Sequence, residues 1–258
     1  MVEFQLVKAG IRVLDREKFR QNFGGRGVAV LPVIHVLDNQ QAERNIERAR
    51  DGGCPGVFLI NHDFPYERFL PIIRHCRLCF PDYWIGVNFL AVTGKTAFPI
   101  LAELRDEGVR VDAYWADDAR IDEKKPVDNQ PEASEIAGVR NDCNWNGLYF
   151  GGTAFKKQRE IDPADYARSA TIACEYMDVV TTSGIATGHS ADLGKIETFR
   201  RACGDSPVAL ASGITPENVS DYAPWVDAVL VATGINIRDD FYTIDPARLA
   251  ALLSQISH

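Results

Sequence analysis

The sequence predicts a (β/α)8 TIM barrel, and three observations carry that prediction. Eight short β-branched runs are spread over 258 residues, most of them are followed by a segment of helical periodicity, and helix start and stop signals fall between them. An open doubly wound sheet of this length has fewer strands.

The runs are "GVAVLPVIHV", "GVFLIN", "WIGVNFLAV", "VDAYWAD", "GLYFGG", "DVVTTSG", "PVALASG" and "DAVLVATG". Between them lie "NQQAERNIERARDGG", "TAFPILAELRDEG", "DPADYARSATIACEYM", "DLGKIETFRRACG", "PENVSDYAPWV" and "DPARLAALLSQIS". Asn39, Asp162 and Asp245 stand at N-cap positions, Pro163, Pro216 and Pro246 in first turns, and Gly108 and Gly204 where helices stop. The residues before Gly27 read as a helix that closes the barrel bottom, with "FGGRG" as the turn into the first strand. The span "ARIDEKKPVDNQPEASEIAGVRNDCNWNG" is polar and proline-bearing, so it reads as a short helix with a loop or as a flap over the mouth. No internal repeat is visible, and one barrel domain is expected over residues 1–258.

Composition narrows the function. The formal charge of −8 argues against nucleic acid and anionic membrane as general partners, so an anionic ligand must be held locally. No stretch reaches a membrane span of about 20 apolar residues, and the N-terminus lacks a secretory apolar block, so the expected location is cytoplasmic. The six cysteines then read as reduced thiols. Cys76 and Cys79 in "HCRLC" fall late in the helical segment "YERFLPIIRHCRLCF" and read as small core residues sharing one face, because no second pair at zinc spacing accompanies them.

Barrel chemistry sits at the C-terminal strand ends. There "TTSGIATG", "ASGIT" and "VATGIN" repeat glycine beside a hydroxyl. Glycine lets backbone amides approach an anion and the hydroxyl adds a donor, so Ser183, Gly184, Thr187, Gly188, Ser212, Gly213, Thr233 and Gly234 are the expected phosphate cradle. The competing reading is that these glycines only make tight turns.

Across the mouth, His35, Asn61, Asp63, Asp117 and Lys156 are the candidate catalytic residues, as acids, bases or a phosphate anchor. Asp63 and Asp117 with His35 or His62 would be the ligands if a divalent metal were used; otherwise no cofactor is expected. Side chains alternate along a strand, so only one of Asp117 and Asp118 points inward. Trp115 at a strand end is placed to line a ring-shaped ligand. No Walker loop, GxSxG, HExxH or early GxGxxG is present.

"TSGIATGHSADLGKIETFR", "ASGITPENV" and "DAVLVATGINIRDDFYTIDPARL" together resemble the BtpA/SgcQ family, as do "FLINHDFPYE" and "GVNFL" with Asn61, Asp63, Pro65 and Asn88. Two segments depart from it: the loop after His35 lacks the family's proline and glycine, and "YFGGTAFKKQ" keeps a lysine near Lys156 but not the acid and histidine. The resemblance implies a barrel of the ribulose-phosphate-binding kind. Family members are linked to photosystem I biogenesis or to sugar-utilisation operons, without a reaction assigned to them as a group. The expectation is therefore a binder of a small phosphorylated metabolite, acting as an isomerase, lyase or transferase. A non-catalytic assembly or regulatory factor with the same phosphate site is the first alternative, and a metal-dependent hydrolase the second. Homo-oligomerisation through the outer helices is left open.

Overall fold

In the computed structural model, which describes residues 14–25, 27–156, 158–184 and 189–256, eight parallel strands close into a barrel. They are β1 (Ala29–Val36), β2 (Gly56–Asn61), β3 (Trp84–Phe89), β4 (Ala113–Ala116), β5 (Leu148–Gly152), β6 (Val179–Ser183), β7 (Val208–Ala211) and β8 (Ala228–Val231). Closure is made where β8 meets β1, with Leu31 beside Leu230. Around them run α1 (Arg16–Gln21), α2 (Asn39–Asp51), α3 (Tyr66–Cys79), α4 (Gly94–Asp106), α5 (Pro131–Asp142), α6 (Tyr166–Ala173), α7 (Leu193–Cys203), α8 (Val219–Tyr222) and α9 (Pro246–Ser254). Among the described residues no helix is long and apolar enough to cross a membrane.

Strand alternation divides the core in two. Leu31, Val33, Phe58, Trp115, Phe150, Ala209 and Leu230 fill the barrel interior, while Val30, Ile34, Val57, Leu59, Tyr114 and Val229 pack outward under the helices. Phe58 and Phe150 meet edge to face with centroids 5.1 Å apart. Gly86 on the neighbouring strand makes that possible, because a Cβ there would lie 2.3 Å from the Phe58 ring. Phe19 of α1 is fully buried and closes the bottom against Phe150, as the sequence suggests.

A hidden period holds the bottom pole. Asp112, Asp178 and Asp227 each immediately precede an even-numbered strand or its first residue, and each pairs with an arginine from the helix that leads into the preceding odd strand. Ile85 N–H donates to Asp112 at 2.8 Å, Tyr149 N–H to Asp178 at 2.7 Å and Val208 N–H to Asp227 at 3.0 Å. In return the amides of Asp112, Asp178 and Asp227 donate to the carbonyls of the same three residues. The arginines are Arg77 at 2.7 Å, Arg140 at 2.5 Å and Arg200 at 2.8 Å, and each also donates to carbonyls of the loop entering its strand. Asp227 further binds Arg16 and Arg20, which docks α1 under the barrel.

Several expectations shift in detail. The cap of α2 is Asp38, whose carboxylate accepts from Gln41 N–H, and not Asn39. Asp162 caps a single 3-10 turn (Pro163–Asp165), while Asp245 caps α9 with Pro246 at its first position. Pro216 lies in the turn before α8, which is only four residues long. The polar span after β4 is a helix, α5, preceded by a tied loop rather than a free flap. Buried Gln130 donates to Asp122 and Pro126 carbonyls, Glu123 pairs with Arg159, and Tyr176 OH bonds Val127 O. Cys76 is buried as expected, but Cys79 is exposed, because a spacing of three at the helix end carries it past the core-facing stripe.

Asp227→Asn leaves buried Arg200 without its partner and frees α1, so a stability loss of about 3–5 kcal/mol is expected in urea unfolding. The exposed Arg74–Glu107 pair is the comparison, and Glu107→Gln should move the midpoint far less.

Candidate functional site at the C-terminal mouth

The inward alternation of the strands runs on into the mouth. After Leu31 and Val33 it delivers His35; after Phe58 and Ile60 it delivers His62; after Ala113 and Trp115 it delivers Asp117; after Ala209 and Ala211 it delivers Gly213. These residues, with Lys156, Ser212 and Thr233, line a cavity of about 60 Å³ that Phe241 roofs from the loop after β8. That is room for about four to six water-sized groups at about 10–15 Å³ each.

His35 is buried, with the Phe241 ring 3.9 Å away between centroids and the His62 ring at 5.5 Å. Asp117 is buried and accepts from Asn88 Nδ2 at 3.1 Å. Its neighbour Asp118 turns outward to Arg120 N–H and Gln158 Nε2, as alternation requires. Lys156 lies at the cavity wall, and its backbone N–H donates to Ser183 Oγ at 2.9 Å. Trp115 and Ser212, which both line this space, each carry a buried polar atom with no hydrogen-bond partner among the described residues: Trp115 Nε1 and Ser212 Oγ.

Other expected site residues are engaged in holding the loops. Asn61 donates to Phe64 O at 2.7 Å and accepts from Leu90 N–H at 3.0 Å, so it joins the loops after β2 and β3. Asp63 sits on the exposed rim, where Tyr242 OH donates to it at 2.6 Å and His62 Nδ1 lies at 3.3 Å. The Tyr242 hydrogen bond first, then that of His62, holds its carboxyl below the ordinary range. Among the described residues, His35, His62, Asp63 and Asp117 do not supply three ligand atoms within 4.8 Å of one another.

The glycine-hydroxyl loops divide between two uses. Ser183 is fully buried, donates to Gly184 O at 2.8 Å and takes the Lys156 amide, so its hydroxyl is spent inside the wall. Gly184 packs beneath the crossing chain, where a Cβ would lie 2.6 Å from His189 O. Gly213 adopts φ +72°, and a Cβ there would lie 2.1 Å from His189 O; at Gly234 it would lie 1.8 Å from Ile214 O. These glycines let successive loops cross at backbone contact, while Ser212, Gly213 and Thr233 also face the cavity. Thr187 and Gly188 lie outside the described residues.

Three contributors escaped the sequence reading. Phe241 and Tyr242 come from the polar loop "DDFYTID", and an aromatic pair in such a loop was the available signal. Lys195, in the first turn of α7, is buried behind the cavity wall and donates to Ala154 O at 2.6 Å and Ser183 O at 2.7 Å. Its ammonium lies 5.1 Å from the Tyr166 ring centroid. Burial pulls it down to about 8, against the opposing pull of Asp192.

No family model matches the chain. The chain is 22% identical over 237 residues, 84% of its length and 79% of the relative's, to the photosystem I biogenesis protein BtpA of Synechocystis sp. (strain ATCC 27184 / PCC 6803 / Kazusa). Among solved structures, tryptophan synthase subunit alpha from Legionella pneumophila superposes with a TM-score of 0.63 at 14% identity, covering 94% of this chain and 98% of that one. Phosphoribosyl anthranilate isomerase from Thermus thermophilus gives 0.57 at 14% identity over 88% and 98%. Orotidine 5'-monophosphate decarboxylase from Methanocaldococcus jannaschii gives 0.57 at 11% identity over 89% and 98%. At these identities the structural likeness shows the fold alone.

Two measurements follow from the wall. Gly213→Ala combines a left-handed backbone with a clash against a carbonyl, so a loss of about 2–4 kcal/mol is expected on unfolding. Lys195 has a folded value near 8 and an ordinary value of 10.5, so the unfolded chain binds more protons between those pH values. Stability contributed through this group therefore rises with pH across that window. The gap between wild type and Lys195→Met should widen in favour of wild type from pH 8 to 10.5, and parallel pH curves would refute it.

Proposed function

Because the chain is a BtpA-like TIM barrel, we propose that its C-terminal mouth binds a small phosphorylated metabolite and acts on it as an isomerase, lyase or transferase. The observation that carries this reading is the pair of unpartnered buried donors, Trp115 Nε1 and Ser212 Oγ, at a cavity also lined by Lys156 and Thr233. Desolvated donors without acceptors cost about 1–3 kcal/mol each, and a phosphorylated ligand supplies the missing acceptors, its phosphate to Ser212 and its body to Trp115. In a chain of charge −8 such neutral donors with one lysine confine anion binding to this spot.

In this reading Ser212, the Gly213 and Gly234 turns, Thr233 and Lys156 hold the phosphate on the β7–β8 side. His35 and Asp117 face the reacting end as the acid and base, with Trp115 against the body of the ligand. Asn61 and Asp63 act by position, the first fixing two mouth loops and the second tethering the Tyr242 loop. Lys156 anchors charge and is not assigned a covalent role. Two structural neighbours are named for phosphorylated substrates, phosphoribosyl anthranilate and orotidine 5'-monophosphate, which supports the ligand class by fold analogy only. A cytosolic location accords with such a metabolite.

A second reading is a non-catalytic assembly or regulatory factor that senses the same ligand. The name of the Synechocystis relative favours it, and so does the Phe241 ring, its centroid 3.9 Å from that of His35, which crowds one of the two proposed acid-base groups.

Thermal unfolding with ribose 5-phosphate, other sugar phosphates, nucleotide monophosphates and inorganic phosphate tests the site. A ligand present at about 100 times its Kd adds about 2.7 kcal/mol of stability. Wild type should gain several degrees with at least one of these compounds. Ser212→Ala, which deletes only the unpartnered hydroxyl, and Lys156→Met should each lose most of that gain. No shift with any phosphorylated compound, or a shift unchanged in both variants, would overturn the reading. Phosphorus NMR of the stabilising compound then separates turnover from sensing.

A further inference from the structure

Outside the mouth, α2 and α3 bring together a second set of reactive side chains. Glu43 of α2 and His75 and Cys79 of α3 place a carboxylate oxygen, an imidazole nitrogen and a thiol sulfur all within 4.8 Å of one another. None of the three lines the barrel mouth. We propose that this triad is a binding site for a divalent transition metal ion, zinc in the first instance, which fastens α2 to α3.

The geometry is the main argument. His75 and Cys79 are four apart on one helix, so they share a face one turn apart, as helical metal-ligand pairs do. His75 Nε2 lies 3.0 Å from Glu43 Oε2 and 3.6 Å from Cys79 Sγ. Tetrahedral zinc with Zn–S of about 2.3 Å and Zn–N or Zn–O of about 2.0–2.1 Å has S···N edges of about 3.6 Å and N···O edges of about 3.3 Å. The two edges that meet at His75 Nε2 therefore fit that ion to within a few tenths of an ångström, and the Glu43–Cys79 edge lies within 4.8 Å. Both helices are fixed by packing on the barrel, so the site is preorganised.

The chemistry of the set points the same way. One thiol, one imidazole and one carboxylate is a zinc or cobalt set, whereas magnesium and calcium take oxygen ligands. Partial exposure of His75 and Glu43 leaves an entry path. Desolvation first, and then the charges of Glu43 and Glu47, raise the Cys79 thiol above its ordinary range. A thiol surrounded by acids is a poor nucleophile alone, but a dication reverses that field, and coordination expels the proton as Cys–SH and Zn²⁺ give Cys–S–Zn⁺ and H⁺. A water completes the fourth position. Cys76 next door is a useful contrast: burial first, and then Cys79 and the charge of Glu43, push its thiol up to about 12, and it faces the core.

The test uses the full chain, reduced and stripped with chelator, titrated with zinc by calorimetry and with cobalt(II) by absorption. One equivalent should bind with proton release, and the cobalt form should show a thiolate-to-metal charge-transfer band. Cys79→Ser and His75→Asn should abolish the band and lower affinity by at least about tenfold, the loss that even an outer partner of a metal ligand brings. Asp63→Asn at the mouth should change neither. Zinc should also slow alkylation of Cys79 by iodoacetamide. Failure to bind an equivalent, a cobalt complex without the thiolate band, or binding unchanged in both ligand variants would overturn the site.

Discussion

Three carboxylates, Asp178 and Asp227 buried and Asp112 mostly so, fix the order of strands at the bottom pole, and the open mouth at the other end depends on them. Each one holds the amide of the preceding odd strand while its own amide is held by that strand's carbonyl, and each is neutralised by an arginine from the helix before it. Burying such pairs costs desolvation, which Arg77 offsets by donating to the carbonyls of Phe80, Pro81, Tyr83 and Arg110. The same arginine that neutralises an acid thereby caps a loop. With register secured below, β4, β7 and β8 need only four residues each, and their upper ends are released for other work.

At the mouth, backbone closeness and the lining of the cavity are served by the same residues. Gly213 and Gly234 allow the loops after β6, β7 and β8 to lie across one another at distances no side chain tolerates. Those crossings stack the Ser212, Gly213 and Thr233 positions around one cavity. Lys195 braces this wall from behind by gathering Ala154 and Ser183 carbonyls, which links α7 to the ends of β5 and β6. The rim is tied separately by Asp63 and Tyr242, so the loop carrying Phe241 is anchored to the one carrying His62.

The barrel was legible because each strand carries an apolar run and each run is punctuated. Alternation alone said that only one of Asp117 and Asp118 points inward, and the structure turns Asp117 in and Asp118 out. The clamps were less legible, although three of the quoted runs begin with or near their aspartates, because the partner arginines lie 35, 38 and 27 residues upstream. Glycine was ambiguous for a physical reason: a loop that must touch another backbone and a loop that must touch an anion demand the same absent side chain. Asn61 reads like a catalytic group from its strand-end position, yet the length of its amide lets it span two loops. Cys79 was misplaced in the core because a spacing of three fixes a helical face only to within part of a turn.

The central claim is that the desolvated Ser212 hydroxyl at the mouth is kept for an oxyanion, and a crystal structure of the protein equilibrated with inorganic phosphate tests it most directly. The account predicts a phosphate within hydrogen-bond distance of Ser212 Oγ and beside Lys156. Phosphate bound only elsewhere, with Ser212 Oγ and Trp115 Nε1 satisfied by protein atoms, would contradict it.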